Sequence, residues 1–360
     1  MAVPADDELQ GLLDKFVCVR IVQMHGVDLN RFEFDGGLTW AIFFMNHDGT
    51  IYGRYGSRSG RGKVSEREIS LGGFKKSLRG AMALHTRYAK DKEGVGKELA
   101  GKVAKTKSPW QKPELIPSLK QNARLNRPFM GEAGRHGGCI HCHMVPTNEV
   151  LSLRAAKKPI PDKKFWPYPM PDEVGFRMDP GEMATVQNVD EETAAAEAGF
   201  KKGDRILRLA GQPILSTADI QWVLHNAGDP AKLPVEVRRK GQLRQLELSL
   251  KKGWRRELGD WRFINIGLQN QLMGFSCRPT AGQRDELELK VQRVNQRRRP
   301  RLRLKQGDLI VSVDGKTEPM TLGAFTAYVF QKKRNGSRLK LTVLRRGREL
   351  KMQVLIGGNL

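Results

Sequence analysis

Two stretches in the second half of the chain share one pattern of apolar and polar positions. Each begins with a Gly-Asp turn, at residues 203–204 and 307–308, and a short apolar run follows it. Glycine allows the positive φ that such turns need, and the Asp carboxylate accepts backbone N–H bonds within the turn. A second glycine follows each run at the same distance from the first. The pattern therefore predicts a short strand that ends in another turn.

Both copies continue with a capped helix and a hairpin. Ser216 and Thr321 each precede a segment whose apolar residues fall on one helix face, and Ser216 also has the spacing of a capping box. Two strands around a glycine turn follow in both copies. The repeated order of strand, turn, strand, helix and hairpin predicts two domains of one fold, at residues 172–252 and 261–357.

The repeat resembles the PDZ domains that follow bacterial HtrA-type proteases. In that family a small apolar segment opening the second strand binds a partner's terminal carboxylate, and the partner strand adds to the sheet edge beside the capped helix. The resemblance implies that the partners are proteins or peptide C-termini. In the first copy it implies peptide contacts at Val174, Gly175, Phe176, Arg177 and Met178. In the second copy the implied contacts are Gly274, Phe275 and Ser276.

The two copies differ in one segment, and the protease half of HtrA proteins has no counterpart. Where the first copy has a short alanine-rich helix, the second has Pro300, which cannot sit in a helix interior. We therefore expect the first groove to be the better binding site. Neither Gly-Asn-Ser-Gly-Gly nor Gly-x-Ser-x-Gly occurs, and the upstream region is too short for a chymotrypsin-like double barrel. The sequence predicts no protease activity.

The first 92 residues carry a different pattern. Residues 16–22 form a nearly continuous apolar run rich in β-branched residues, typical of a buried central strand. Two further apolar runs flank an Asp-Gly pair at residues 48–49, which is a strong hairpin signal. A helix with one apolar face is predicted after Ser70, and another helix is predicted within residues 6–14. Cys18 falls in the predicted buried strand, where we expect an inert core thiol.

This order resembles the second part of a thioredoxin fold. In the thioredoxin-like group a Cys-x-x-Cys pair opens the helix before the central strand, and a cis-proline faces that pair. Here no Cys-x-x-Cys precedes residue 14, and Leu38 stands where the proline would be. The resemblance implies a thioredoxin-like fold without thiol chemistry. A helix N-terminus lowers the pKa of a thiol, but no cysteine pair stands at that position here. No catalytic residue is predicted.

Composition adds a strong positive charge. The formal net charge is +24, and residues 296–303 form the densest basic run. Such a run would suit phosphate contacts, but no RRM, KH, zinc-finger or helix-turn-helix pattern accompanies it. We expect a solvated basic surface and no nucleic-acid partner; polyanion or acidic-membrane binding is the alternative. No run approaches the roughly 18 apolar residues of a membrane span, and the first residues lack a signal-peptide pattern.

Residues 93–171 are predicted to be a linker that contains one chemical motif. Cys139, Cys142 and His143 have the Cys-x-x-Cys-His spacing of c-type haem attachment, in which two thioethers hold the porphyrin and the histidine ligates iron. The sixth ligand would be Met170, Met178 or none. Two alternatives stay open. One is a zinc site completed by His136 or His141, and the other is a dithiol–disulfide pair.

The whole arrangement resembles a bacterial family of thioredoxin-like/PDZ (seleno)proteins. Some members carry selenocysteine in the thioredoxin part, so the resemblance implies a natural N-terminus upstream of Met1, with a signal sequence and the redox helix. We therefore predict an α+β multidomain protein with a partial thioredoxin-like domain (1–92), an irregular connector (93–171) and two PDZ-like domains. The expected function is a redox-associated adaptor, periplasmic if that upstream segment exists and otherwise cytoplasmic. The alternative is a non-catalytic scaffold whose connector is stapled by zinc or a disulfide.

Overall fold

The computed structural model describes residues 6–38, 40–56, 69–121, 138–258, 263–279, 289–295 and 302–357. The helices are α1 (Asp7–Leu13), α2 (Leu71–Lys90), α3 (Lys92–Leu99), α4 (Pro117–Lys120), α5 (Met144–Ala155), α6 (Ala194–Glu197), α7 (Thr217–Asn226), α8 (Phe263–Met273) and α9 (Leu322–Lys332). The strands are β1 (Ile42–Met45), β2 (Ile51–Tyr55), β3 (Phe176–Met178), β4 (Val186–Val189), β5 (Arg205–Leu209), β6 (Gln212–Pro213), β7 (Ala231–Arg239), β8 (Gln242–Leu250), β9 (Phe275–Pro279), β10 (Leu289–Val294), β11 (Leu309–Val313), β12 (Arg338–Arg345) and β13 (Arg348–Leu355). This mixture of helix and sheet confirms the predicted class.

The chain forms two compact units, each assembled from two separate stretches of sequence. The first unit contains Met1–Pro113 and Tyr168–Trp254, and the second contains Glu114–Pro167 and Arg255–Leu360. The N-terminal residues thus share a unit with the first repeat copy, and the cysteine connector shares a unit with the second. Across the described stretches, every helix is too short or too polar to cross a membrane.

The first repeat copy is built on antiparallel strands in the order β6-β5-β7-β8, with β3 and β4 paired separately. Its Gly-Asp turn is fixed by a buried ion pair. The carboxylate of Asp204 accepts hydrogen bonds from Arg239 Nε at 2.6 Å and Nη2 at 2.7 Å, and from Lys201 N–H at 2.9 Å. This pair joins the turn before β5 to the end of β7. The Asp in the turn therefore stabilises the sheet as well as the turn.

The second copy repeats these bonds within a five-stranded sheet ordered β13-β12-β11-β10-β9. Asp308 accepts from Arg345 Nε at 2.6 Å and Nη2 at 2.7 Å, and from Lys305 N–H at 2.8 Å. The predicted helix caps are also confirmed, because Ser216 Oγ accepts an N–H at the start of α7 and Thr321 Oγ1 accepts one at the start of α9. The sequence repeat is a repeat of structure.

The predicted helices and hairpin of the N-terminal segment are confirmed. Asp6 caps α1, Ser70 Oγ accepts the N–H of Gly73 at 3.0 Å to begin α2, and β1 pairs antiparallel with β2. Leu78, Ala81 and neighbouring apolar side chains of α2 pack against α1, the hairpin and α3 to form one core. The amphipathic face of α2 therefore organises this part of the unit.

The prediction of a buried strand at residues 16–22 is wrong. Val17, Val19 and Val22 are 94%, 81% and 74% exposed, Cys18 is exposed as well, and the segment forms no strand. The expectation of a core thiol at Cys18 is therefore wrong too. A strand is buried when neighbouring strands and helices cover it. In the described part of the chain β1 and β2 pair only with each other, so no sheet forms around this run.

Candidate peptide-binding groove

The predicted carboxylate-binding residues of the first copy form a tight turn and a strand. Gly175 follows a 3-10 turn and has φ of 102°, a conformation that favours glycine. A Cβ at this position would lie 2.0 Å from Thr193 Oγ1, so a side chain is excluded by space as well. Phe176 and Met178 are buried, and Arg177 between them is exposed. Residues 174–178 therefore form a turn that leads directly into strand β3.

One edge of β3 is open. Gly175 O accepts a hydrogen bond from Asp190 on the β4 side at 2.8 Å, and Asp179 N–H donates to the same side. Because hydrogen-bonding groups alternate along a strand, the backbone groups of Phe176 and Met178 point to the opposite edge. Among the described strands, only β4 pairs with β3. An edge of this kind can accept an added strand.

Helix α7 forms the other wall, and part of its face is already covered by the chain itself. Gln221 Nε2 donates to Tyr168 O at 3.1 Å, and Tyr168 N–H donates to His225 Nδ1 at 3.2 Å. The rings of Tyr168 and His225 stack with centroids 4.1 Å apart. The segment just before Gly175 thus packs against the C-terminal half of α7. The N-terminal half of α7 borders a small cavity.

That cavity has walls from both parts of the first unit. Ser216, Thr217 and Ala218 of the α7 start face Asp179 and Pro180, which follow β3. The remaining wall comes from the N-terminal segment, and its residues are Tyr55, Gly56 and Ile69. Sequence reasoning assigned the groove to residues 172–252 alone and missed this wall. A contact between segments so distant in sequence leaves no local pattern that could have predicted it.

A buried charge cluster attaches the N-terminal segment to α7. Lys102 and Asp219 have fully buried side chains, and Lys102 Nζ lies 2.7 Å from Asp219 Oδ1. Arg54 Nη2 donates to Lys102 O at 2.7 Å, and Arg54 N–H donates to Asp219 Oδ1 at 3.1 Å. The Arg54 guanidinium also lies 3.8 Å from the centre of the Trp222 ring. These contacts fix the outer face of the groove helix.

Burial perturbs both cations of this cluster. It lowers the pKa of the Arg54 guanidinium to about 10, although the Asp219 carboxylate favours the charged form. Burial also lowers the pKa of the Lys102 ammonium, and the neighbouring Arg54 charge acts in the same direction. Desolvation penalises the charged form of a buried base unless an anion compensates it. Asp219 is the carboxylate in contact with Lys102, so the cluster depends on it.

The corresponding groove of the second copy contains a helix of the same chain. Helix α8 lies between β9 and α9, and its buried Gln269 contacts both. Gln269 Oε1 accepts the N–H of Cys277 in β9 at 2.8 Å, and Gln269 Nε2 donates to Thr326 Oγ1 in α9 at 2.8 Å. Gly274 follows this helix, and Phe275 and Ser276 begin β9. A glutamine amide therefore takes the hydrogen bonds that an added strand would make there.

The cysteine motif lies before helix α5 in the second unit. Cys139 and Cys142 are of intermediate exposure and form no disulfide within the described residues, and His143 precedes the first residue of the helix. The rings of His141 and His143 stack with centroids 5.6 Å apart. Burial, and then the neighbouring His141, lower the pKa of His143, which favours the neutral imidazole that ligates metals. Two thiols and a neutral imidazole fit either a haem or a zinc ion chemically.

The rest of a metal site is not assembled among the described residues. No group of three or more His, Cys, Asp or Glu side chains in the described ranges is arranged to hold a metal ion. His136, a candidate zinc ligand, lies outside those ranges. Met170 and Met178, the candidate sixth haem ligands, are buried in the repeat copy of the first unit. Haem, zinc and dithiol all stay predictions.

Part of the chain is similar to known proteins. Residues 172–250 match the PDZ domain family. The chain is 32% identical over 120 residues to a probable periplasmic serine endoprotease, DegP-like, of Pseudomonas savastanoi pv. phaseolicola, covering 32% of this chain and 25% of that protein. It is 35% identical over 75 residues to proteins of the same description from two strains of Pseudomonas putida, covering 21% of this chain and 16% of each. The chain thus spans a quarter or less of the relatives it matches. Residues 172–250 are a PDZ domain within a multidomain chain that is related in part to DegP-like proteins.

Proposed function

We propose that the chain binds an extended segment of a partner protein, with a free C-terminus preferred, by strand addition to β3. The single observation that carries the proposal is the unpaired edge of β3 beside the capped helix α7, directly after Gly175. Buried Phe176 and Met178 supply apolar pockets for alternate side chains of the added strand. Thr217 and Ala218 at the start of α7 are buried and line the small cavity that also contains Asp179 and Pro180.

The N-terminal segment belongs to this binding site in our proposal. Tyr55, Gly56 and Ile69 border the groove where the middle of a bound strand would pass. Residues 172–252 alone would expose the buried Asp219 and Trp222 side chains on α7. The full chain is therefore the ligand-binding protein. Its relatives are named as periplasmic, which supports export of this chain, and a thioredoxin-like N-terminal part remains a proposal from the sequence resemblance.

We assign the binding function to the first PDZ groove and a structural role to the second copy. The support is Gln269, which already pairs with Cys277 N–H on one side and Thr326 on the other. In the repeat, Cys277 corresponds to Met178, whose N–H points to the open edge of the first groove. A ligand would have to displace α8, whose Leu268, Leu272 and Met273 are fully buried.

The connector adds a second proposal. Cys139 and Cys142 would attach a haem and His143 would ligate its iron, which would supply one-electron transfer when bound. The support is the spacing of the motif and the neutral imidazole favoured at His143. A zinc ion or a dithiol on the same cysteines is the alternative, and the chain is then a scaffold whose binding still rests on the PDZ groove.

Strand addition can be tested without altering the protein. A library of peptides with free C-termini is selected against the full chain, and the best binder is then N-methylated at one residue at a time. Methylation at alternate positions should abolish binding, because only every second N–H of an added strand faces β3. Methylation at the intervening positions should have little effect. A binder that tolerates every methylation would contradict strand addition.

A matched protein control separates the two grooves. Gln269→Ala removes the bridge in the second copy, and we expect peptide affinity of the full chain to stay unchanged. A bulky substitution at Thr217, such as Thr217→Trp, should abolish it. If Gln269→Ala creates peptide binding in a chain that also carries Thr217→Trp, the second groove is a closed binding site and our assignment is wrong.

A further inference from the structure

The second unit contains a cavity of about 1030 Å³ between the C-terminal ends of α5 and α9. Half of its lining residues carry a positive charge, and none of the described residues that line it is acidic. Its apolar floor is formed by Ile160 and Phe330. The basic residues that line it are Arg154, Lys157, Lys158, Lys332, Lys333 and Arg334.

Basic side chains often gather at helix C-termini because they compensate the helix dipole, so that explanation comes first. At the C-terminal end of α9, one residue, Arg154, binds the terminal carbonyl groups. Arg154 Nη1 donates to Phe330 O at 2.6 Å, and its Nη2 donates to Lys333 O at 2.5 Å. At the end of α5, the backbone N–H of Lys158 satisfies Leu153 O at 2.9 Å. The terminal carbonyls therefore do not require the lysine side chains.

The other cations of the cavity are mostly uncompensated. Lys333 Nζ lies 2.7 Å from Asp314, which compensates its charge. Lys157, Lys158, Lys332 and Arg334 are exposed, and none forms an ion pair with a carboxylate of the described residues. Four cations without ion pairs, around one concave surface that no described acidic residue lines, raise the local concentration of anions.

The backbone conformation of Lys157 is a second observation at this cavity. This residue follows α5 with φ of 55°, the left-handed conformation that usually belongs to glycine at a helix end. A non-glycine residue there destabilises the fold. The lysine side chain thus stands at a position where glycine would give a more stable helix end, and it lines the cavity.

We propose that this cavity binds a ligand carrying several phosphate charges, either a soluble polyphosphorylated molecule or a phospholipid headgroup. Ammonium and guanidinium groups are strong donors to phosphate oxygens. A single peptide carboxylate would compensate only one of the four exposed cations, so a multiply charged ligand fits better. The apolar floor at Ile160 and Phe330 would contact the uncharged part of the ligand. This site is independent of the peptide groove.

The test uses two lysines that share the same backbone conformation. Lys240 also has a left-handed φ, of 48°, but lies in the exposed turn between β7 and β8. Lys157→Gly and Lys240→Gly remove the same charge and the same strain. Both variants should unfold at a higher temperature than the parent chain. Pyrophosphate affinity at low salt, measured by calorimetry on the full chain, should fall about tenfold for Lys157→Gly and stay unchanged for Lys240→Gly.

A competition experiment distinguishes a lipid headgroup from a soluble phosphate ligand. Vesicles containing cardiolipin that displace pyrophosphate indicate a lipid headgroup, and vesicles that do not displace it indicate a soluble phosphate ligand. Three results would overturn the proposal: no pyrophosphate binding at low salt, an equal loss of affinity in the two variants, or tighter binding of a polyglutamate peptide than of pyrophosphate.

Discussion

Replacing Asp219 by alanine tests the buried charge cluster that joins the N-terminal segment to the groove helix. Its carboxylate accepts from Lys102 Nζ, from Arg54 N–H and from Leu215 N–H at 2.7, 3.1 and 3.0 Å. Because the Lys102 and Asp219 side chains are fully buried, solvent does not screen their attraction. Removing one partner of such a pair leaves an uncompensated buried charge, which costs about 3–5 kcal/mol. We expect Asp219→Ala to lose that much stability in the first unit.

The pH dependence follows from Lys102. Its pKa is lowered by burial in the folded chain, so the unfolded chain binds more protons between that lowered value and the ordinary value of 10.5. Stability attributable to this group therefore rises as pH rises through that window. Asp219 opposes the shift, so in Asp219→Ala the rise should begin at lower pH and be larger. Adding Lys102→Met removes the buried ammonium and should restore part of the stability and remove the part of the pH dependence that comes from Lys102.

Hydrogen exchange of the α7 amides is the appropriate assay. The chain has two compact units, so a single global unfolding free energy is not defined. Exchange of α7 reports opening of the first unit alone. Two results would refute the reasoning. One is a loss of stability in Asp219→Ala smaller than about 1 kcal/mol. The other is a stability of Asp219→Ala that does not change between neutral pH and pH 10.

Three further predictions concern other parts of the chain. Val17→Lys with Val19→Lys should change stability by less than about 0.5 kcal/mol, as expected for exposed positions, whereas a buried strand would unfold; thermal melting decides between them. A chain exported beside haem-attachment machinery should give a pyridine haemochrome spectrum that Cys139→Ser weakens or abolishes, and a colourless protein holding zinc would contradict the haem. Gly175→Ala should be destabilised more, in chemical denaturation, than Gly211→Ala, because both have positive φ but only Gly175 lacks space for a Cβ; equal losses would remove the steric argument.

The features that the sequence predicted correctly depend on residues that are close together in the chain. The Gly-Asp turns, the caps at Ser216 and Thr321 and the Asp-Gly hairpin each depend on local backbone conformation, and all are confirmed. The features it missed depend on residues far apart. Residues 16–22 have the composition of a buried strand, but burial is decided by neighbours that composition does not report.

Charged core residues were missed for the same reason. Lys102 lies in a segment whose lysine and glycine content predicted a linker, yet its side chain is fully buried. In the sequence, Asp219 matches an ordinary acidic residue in the first turn of a capped helix. The pattern therefore does not indicate its ion pair with Lys102. A buried Lys–Asp pair leaves no periodic pattern, because each partner is a single polar residue in an otherwise ordinary segment. Sequence therefore located the groove helix but not the contacts that hold it.

The two repeat copies show why a shared fold does not imply a shared function. Each copy places a strand beside a capped helix, and each has an upstream segment next to that helix. In the first copy, Tyr168 contacts Gln221 and His225 on α7, and the start of α7 lines a small cavity. In the second, one glutamine, Gln269, satisfies both the strand and the helix. In our proposal the first groove, which keeps an open strand edge, is the one that binds a partner strand, and the second copy, whose strand edge is already satisfied by Gln269, has a structural role.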